Sequence, residues 1–247
     1  MQPYGPLAPL YDRLTQDVDY EAFADFYEKI FRARIPEART ILDLGCGTGS
    51  LTAIMAKRGY ELIASDISAD MLMEARDKCM QLEGIIQPLF LCQAMTELDL
   101  YGTVNAAYSS LDAINYLPDS QLPRVFSLLH LFIEPGGIFV FDINSPQRLR
   151  SLDGSVSVDE DENMLCLWRG DYDSEEKALC YAVDIFTRKG RHWQRSTEEH
   201  LEYIHEPEAL CRMLTDAGFV NIQIISDGPQ SELGRLFITA ENTDHEV

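Results

Sequence analysis

The sequence predicts an α/β fold: a parallel sheet covered by helices on both faces, interrupted by an antiparallel β subdomain and preceded by a helical cap. Three observations predict it. From residue 40 to residue 144, short apolar runs alternate with helix-period segments, the pattern of a parallel sheet with crossover helices. From 151 to 203 the pattern becomes alternating polarity rich in Trp, Tyr and Val, which reads as antiparallel strands. Ahead of both, residues 20–34 form an amphipathic segment dense in aromatics. The expected organisation is a cap over 1–39, a core over 40–144 and 204–247, and an insertion over 145–203.

Residues 40–44 form a short buried strand that runs into Gly45-Cys46-Gly47-Thr48-Gly49. Residues 50–57 follow as a helix with Leu51, Ile54 and Met55 on one face, and Gly59 ends it. The next strand spans 61–65 and ends at Asp66. Ser68 caps a helix reaching about residue 82, with Met71, Leu72 and Ala75 inward. Residues 85–92 read as a third strand, with Pro88 at its start or at a bulge. Residues 103–109 make a fourth strand and 121–132 a helix. Glu134-Pro135-Gly136-Gly137 closes that helix, and 138–142 make a fifth strand. In the insertion, strands are expected at 164–168, 178–186 and 193–204, separated by turn chemistry at 170–174 and 189–190. A helix over 206–214 with Pro near its start, then strands at 220–225 and 235–240, complete the core.

The glycine-rich segment between strand and helix lets backbone pass close to a ligand, with helix N–H groups pointing at it. That much suits any nucleotide-like ligand. A dinucleotide fingerprint needs GxGxxG, whose third glycine would fall at position 50, which is Ser50. Asp66, at the end of the second strand, is placed to accept hydrogen bonds from both hydroxyls of a ribose.

Asp43-x-Gly45-x-Gly47-x-Gly49 resembles motif I of the class I methyltransferases, which implies a Rossmann-like fold and S-adenosyl-L-methionine (SAM) as cofactor. The opening Leu10-Tyr11-Asp12-Arg13-Leu14, the segment Ser109-x-x-Asp112-x-x-Asn115-Tyr116-Leu117, and Phe141-Asp142-Ile143-Asn144-Ser145-Pro146 resemble uncharacterised bacterial members of that family. The layout is also similar to small-molecule N-methyltransferases. The resemblance implies a cofactor site made by Tyr11, Asp43, Gly45, Cys46, Gly47, Gly49, Asp66, Ile67, Met71, Ala94 and Met95. Tyr11 belongs to the cap that closes over SAM, while Ile67, Met71, Ala94 and Met95 form apolar walls for adenine. Ala94 stands where the family often has an acidic residue, so no carboxylate is expected at the adenine amino group there.

Methyl transfer needs an aligned acceptor, exclusion of water and, for some nucleophiles, a base. His200, Tyr116 and Asp142 are the catalytic candidates, with Trp168 a further aromatic near the expected cleft. The Asn/Asp-Pro-Pro-Tyr/Phe motif of enzymes that methylate exocyclic base amines or glutamine amides does not follow the fourth strand; Ser109-Ser110-Leu111-Asp112 does. The CxxxCxxC of radical SAM enzymes is not present, and no metal is expected. The expected activity is methylation of a small-molecule acceptor at nitrogen or oxygen. A tRNA or rRNA methyltransferase and a non-catalytic SAM-binding regulator stand as alternatives.

Composition narrows the partners. With 41 acidic and 20 basic residues the formal charge is −21. That argues against a nucleic-acid acceptor, which is normally met by clustered cations. Arg148, Arg150, Arg188, Lys189 and Arg191 are the candidates for any basic groove. Six cysteines without CxxC pairing read as reduced thiols. With no apolar run of membrane-spanning length and no leader pattern, a cytoplasmic monomer or homodimer is expected. The Pro-rich start and the acidic tail 241–247 are expected to be mobile unless docked.

Overall fold

In the computed structural model, which describes residue 5 and residues 7–243, the cap is two helices, α1 (Ala8–Leu14) and α2 (Tyr20–Arg34). The expectation about mobile ends concerns residues largely outside those described. Asp19 starts α2 by accepting the Ala22 N–H at 3.0 Å, satisfying one of the orphan donors of a first turn. Phe23, Ala24, Tyr27 and Phe31 recur at helical spacing and are fully buried against the sheet.

The core follows in the expected alternation: β1 (Thr40–Leu44), α3 (Ser50–Lys57), β2 (Glu61–Asp66), α4 (Ala69–Met80), β3 (Leu89–Cys92), β4 (Val104–Ser109), α5 (Leu122–Phe132) and β5 (Ile133–Asn144). A short helix, α6 (Pro146–Ser151), leads to β6 (Val156–Glu160), β7 (Met164–Asp173), β8 (Ala178–Lys189) and β9 (His192–Tyr203). The chain returns through α7 (Pro207–Asp216), β10 (Val220–Ile225) and β11 (Arg235–Glu241). The seven-stranded sheet has the order β10-β11-β5-β4-β1-β2-β3. Its five strands from β5 to β3 run parallel, and β11 and β10 pair antiparallel at one edge. Strand order reverses between β1 and β4, so the loops leaving those strands diverge and open a crevice.

Several boundaries differ from the sequence reading, each for a physical reason. β3 begins after Pro88, not at residue 85, because Gly84 turns at φ 74° and Pro88 has no N–H for the ladder. β5 begins at Ile133: the Pro-Gly-Gly segment joins the strand through a register shift, and Gly136 and Gly137 exchange hydrogen bonds with Asn242. The insertion has four strands instead of three, β6 being added at the edge. Gly170 to Asp173 are strand, and the reversal falls on 174–177. Gly170 is there for close approach, since a Cβ would lie 2.5 Å from the Leu152 carbonyl. The turn at Lys189-Gly190 is as expected. Among the described residues no helix is long and apolar enough to cross a membrane.

Candidate active site

A cavity of about 540 Å3 lies between the exits of β1, β2 and β4, the cap and β9. The turn after β1 forms its floor. Gly45, Gly47 and Gly49 have φ of 77°, 53° and 70°, a region that costs other residues about 1–2 kcal/mol each. Contact adds to this at two of them. A Cβ on Gly45 would meet Met95 Cε at 2.8 Å and Ala113 Cβ at 2.9 Å, and one on Gly49 would meet Ala75 Cβ at 2.7 Å. Around Gly47 there is open space.

Four N–H groups of this turn are taken up within the protein. Those of Gly45 and Cys46 bond the Ser65 carbonyl at 2.8 and 3.0 Å, and that of Gly49 bonds Cys46 at 3.0 Å. The Gly47 N–H donates to Asp66 Oδ2 at 2.9 Å. Tightening the turn onto β2 consumes these donors, so carbonyl oxygens are what these positions have to spare.

Asp43, buried at the end of β1, accepts from the Thr52 and Tyr108 hydroxyls and locks the turn to α3 and β4. Burial pushes its carboxyl up to about 7, against the pull of those two donors. Asp66 lines the cavity. Its oxygens accept the N–H groups of Gly47 and Ser68 (2.8 Å), and a carboxylate has acceptor sites beyond these. Burial raises its carboxyl too, outweighing those amides. Ile67, Met71, Ala94 and Met95 line the same cavity, Ile67 at the rim and Met71 buried. Of the cofactor candidates, Gly49 alone stays outside the lining: it caps α3 and lets α4 approach.

The cap closes one side. Asp12 accepts from Thr48 Oγ1 at 2.6 Å and pairs with Lys78 at 2.7 Å, fastening α1 to the glycine turn and α4. Leu7 N–H donates to Glu198 of β9 at 2.8 Å, and Arg13 pairs with Asp161. Between these anchors Tyr11 and Tyr20 line the cavity. Burial, with the charges of Tyr20 and Asp112 adding, holds the Tyr11 phenol well above its usual range, so it stays neutral.

The far end is made by the turn after β4 and by β9. Tyr116 and His200 both line it, their rings edge-on with centroids 6.2 Å apart, and His200 Nε2 lies 3.2 Å from Glu198. The third catalytic candidate is elsewhere. Asp142 is fully buried below the lining and is saturated by donors: Leu111 N–H at 3.0 Å, Asp112 N–H at 2.9 Å, the Tyr27 hydroxyl at 3.0 Å, and Arg235. Arg235 also donates to Asp112 at 2.8 Å. An anion so engaged has no capacity to take a substrate proton; it holds the turn. Trp168 is also apart from the cavity, its indole donating to Asp159 at 2.8 Å. Sequence reasoning missed Asp12, Lys78, Ser110, Leu111, Glu199, Tyr203 and Arg235. Only Arg235, a cation opening an apolar strand, left a signal.

Residues 41–137 match a family model described as a methyltransferase domain. The chain is 28% identical to YqeM of Bacillus subtilis (strain 168), a protein assigned as a methyltransferase, over 97% of each. It superposes with a TM-score of 0.85 on the crystal structure of an S-adenosylmethionine-dependent methyltransferase from Clostridium acetobutylicum ATCC 824. Their identity is 26%, and the match covers 98% of this chain and 99% of that one. A dTDP-3-amino-3,4,6-trideoxy-alpha-D-glucopyranose N,N-dimethyltransferase of Streptomyces venezuelae is 29% identical over 55% of this chain and 56% of its own length.

Proposed function

We propose that this chain, a class I SAM-dependent methyltransferase, transfers the methyl group to a small-molecule acceptor at nitrogen or oxygen. One observation carries the cofactor half of this reading: the N–H groups of Gly45, Cys46, Gly47 and Gly49 are bonded within the protein, and the turn stands beside Asp43 and Asp66. A pyrophosphate needs N–H donors or cations, whereas the ammonium and sulfonium of SAM suit carbonyls and carboxylates. When bound, SAM supplies a methyl group already activated on sulfur.

The chain's own residues then bind, orient and exclude water. Asp66 takes the ribose hydroxyls on its remaining lone pairs, and Ile67, Met71, Ala94 and Met95 enclose the base. Tyr11 and Tyr20 cover the reacting centre from the cap. Residues 145–203 form the acceptor side, where His200 is the base that receives a proton from the nucleophile and Tyr116 packs against it to fix the ring.

Radiolabel from methyl-tritiated SAM, incubated with a bacterial extract, should enter the small-molecule fraction, and Asp66→Ala should weaken SAM binding roughly 100-fold by calorimetry. Label found only in bulk RNA would replace this reading with an RNA methyltransferase. SAM binding with no transfer to any fraction would make the chain a SAM-binding regulator.

A further inference from the structure

We infer that the acceptor half of this cavity selects a molecule that presents an ammonium group and carries no phosphate or carboxylate; this rests on the methyl-transfer reading above. The ground is the pattern of charge around the cavity. Its described lining contains the acidic residues Asp43, Asp66 and, on the exposed side of β9, Glu199, and no Lys or Arg. Residues 1–4, 6 and 244–247, which lie outside the description, contain no Lys or Arg either.

The cations near these walls are held by the protein itself, Arg148 by the Leu233 carbonyl and the others by acids. Arg235 is gripped between Asp112 and Asp142. Lys78 is paired with Asp12, Arg13 with Asp161, and Arg150 with Glu206 at 3.0 Å. Behind the His200 wall lie two more acidic side chains. Glu198 and Glu202 flank His200 on the same face of β9, each 5% exposed. The Glu202 carboxyl is pushed up to about 8 by burial and by the neighbouring Asp112 charge. Bringing a diphosphate or a carboxylate into such a wall would bury an anion without a partner, at a cost of several kcal/mol. An ammonium meets the opposite situation: Glu199 at the exposed edge of the cavity, and the aromatic residues Tyr11, Tyr116 and Tyr203 in its lining.

The chemistry closes with groups already named. The bound ammonium gives one proton to the His200 imidazole, which releases it to solvent. The freed nitrogen lone pair forms the N–C bond to the methyl carbon as the C–S bond breaks. That pair stays on sulfur, leaving a neutral thioether and a methylated ammonium that carries the positive charge the sulfonium gave up. This sets the chain apart from its Streptomyces venezuelae relative, whose name specifies a sugar carried on a nucleoside diphosphate.

The test uses the full chain, methyl-tritiated SAM and a bacterial metabolite extract divided on cation and anion exchangers. Label should enter the cation-binding fraction at least tenfold over the anion-binding one. Purified dTDP-3-amino-3,4,6-trideoxy-α-D-glucopyranose should accept none. Glu199→Gln should raise the KM of the labelled amine fraction about threefold to tenfold while the SAM Kd stays within threefold. Label concentrated in the anion-binding fraction, or transfer to the nucleotide sugar at a comparable rate, overturns this inference and leaves the methyltransferase reading standing. Label in the unbound fraction overturns this inference alone, and intact SAM binding with no label in any fraction overturns both.

Discussion

Two turns meet at the floor of the cavity, and both put the chain in the left-handed region of backbone space. The turn after β1 does so at Gly45, Gly47 and Gly49; the turn after β4 does so at Leu111 and Asp112, with φ of 54° and 56°. Glycine adopts that geometry without a Cβ clash. Leucine and aspartate do not, and the strain is offset from outside the turn: Asp142 takes both N–H groups, Arg235 holds Asp142 and Asp112 together, and Tyr27 braces Asp142 from α2. One turn is shaped by its own sequence. The other is shaped by residues 30 to 123 positions away.

The largest test of this difference is Arg235→Met. It keeps the apolar stem but leaves Asp142 and Asp112 buried with no cation, which should cost about 3–5 kcal/mol in urea unfolding. Arg235→Met combined with Asp142→Asn should recover part of that, because the amide removes one of the stranded charges. A loss below about 1 kcal/mol in the single variant would mean that the β4 turn keeps its shape unaided.

The same contrast explains what could be read from the sequence. The core strands, the crossover helices and the glycine turn are local patterns: periodicity of apolar residues and a Gly-x-Gly-x-Gly run between strand and helix. Asp66, Met71 and Met95 came with them because their places follow from strand ends. The acceptor side did not. Asp142 ends an apolar strand beside the cavity and so read as a base, yet its partners Arg235 and Tyr27 become neighbours only through the sheet order. Trp168 sits on a strand near the cleft, but the β6 edge, exposed at every position, supplies Asp159 to hold its indole away. The fastening of α1 by Asp12 to Thr48 and Lys78 likewise joins residues 36 or more apart, with no spacing to announce it.

Within the glycine turn, alanine at different positions should separate conformational strain from contact. Gly45→Ala meets both the φ penalty and the clash with Met95 and Ala113, so the floor must shift. SAM affinity should fall at least roughly 100-fold, or about 2.7 kcal/mol. Gly47→Ala meets open space and carries only the left-handed penalty of about 1–2 kcal/mol in stability. Calorimetric titration with SAM and thermal melting on both variants measure this. Equal effects at the two positions would show that close approach to Met95 and Ala113 is not what demands glycine at 45.

The smallest effect is expected where the logic is reversed. Leu111→Gly removes a half-buried side chain that packs against the α2 cluster, and a buried leucine truncation ordinarily costs about 2–5 kcal/mol. It also removes a left-handed penalty of about 1–2 kcal/mol, while the unfolded chain gains freedom that glycine then loses, about 0.4–1 kcal/mol. Half burial roughly halves the first of these, to about 1–2.5 kcal/mol, so the three together leave a net destabilisation of about 1 kcal/mol. The variant should therefore melt within a few degrees of the parent, as the Asp142 clamp still receives both backbone N–H groups. A loss above about 2.5 kcal/mol would show that Leu111 is held by side-chain packing and that the two turns differ less than their composition indicates.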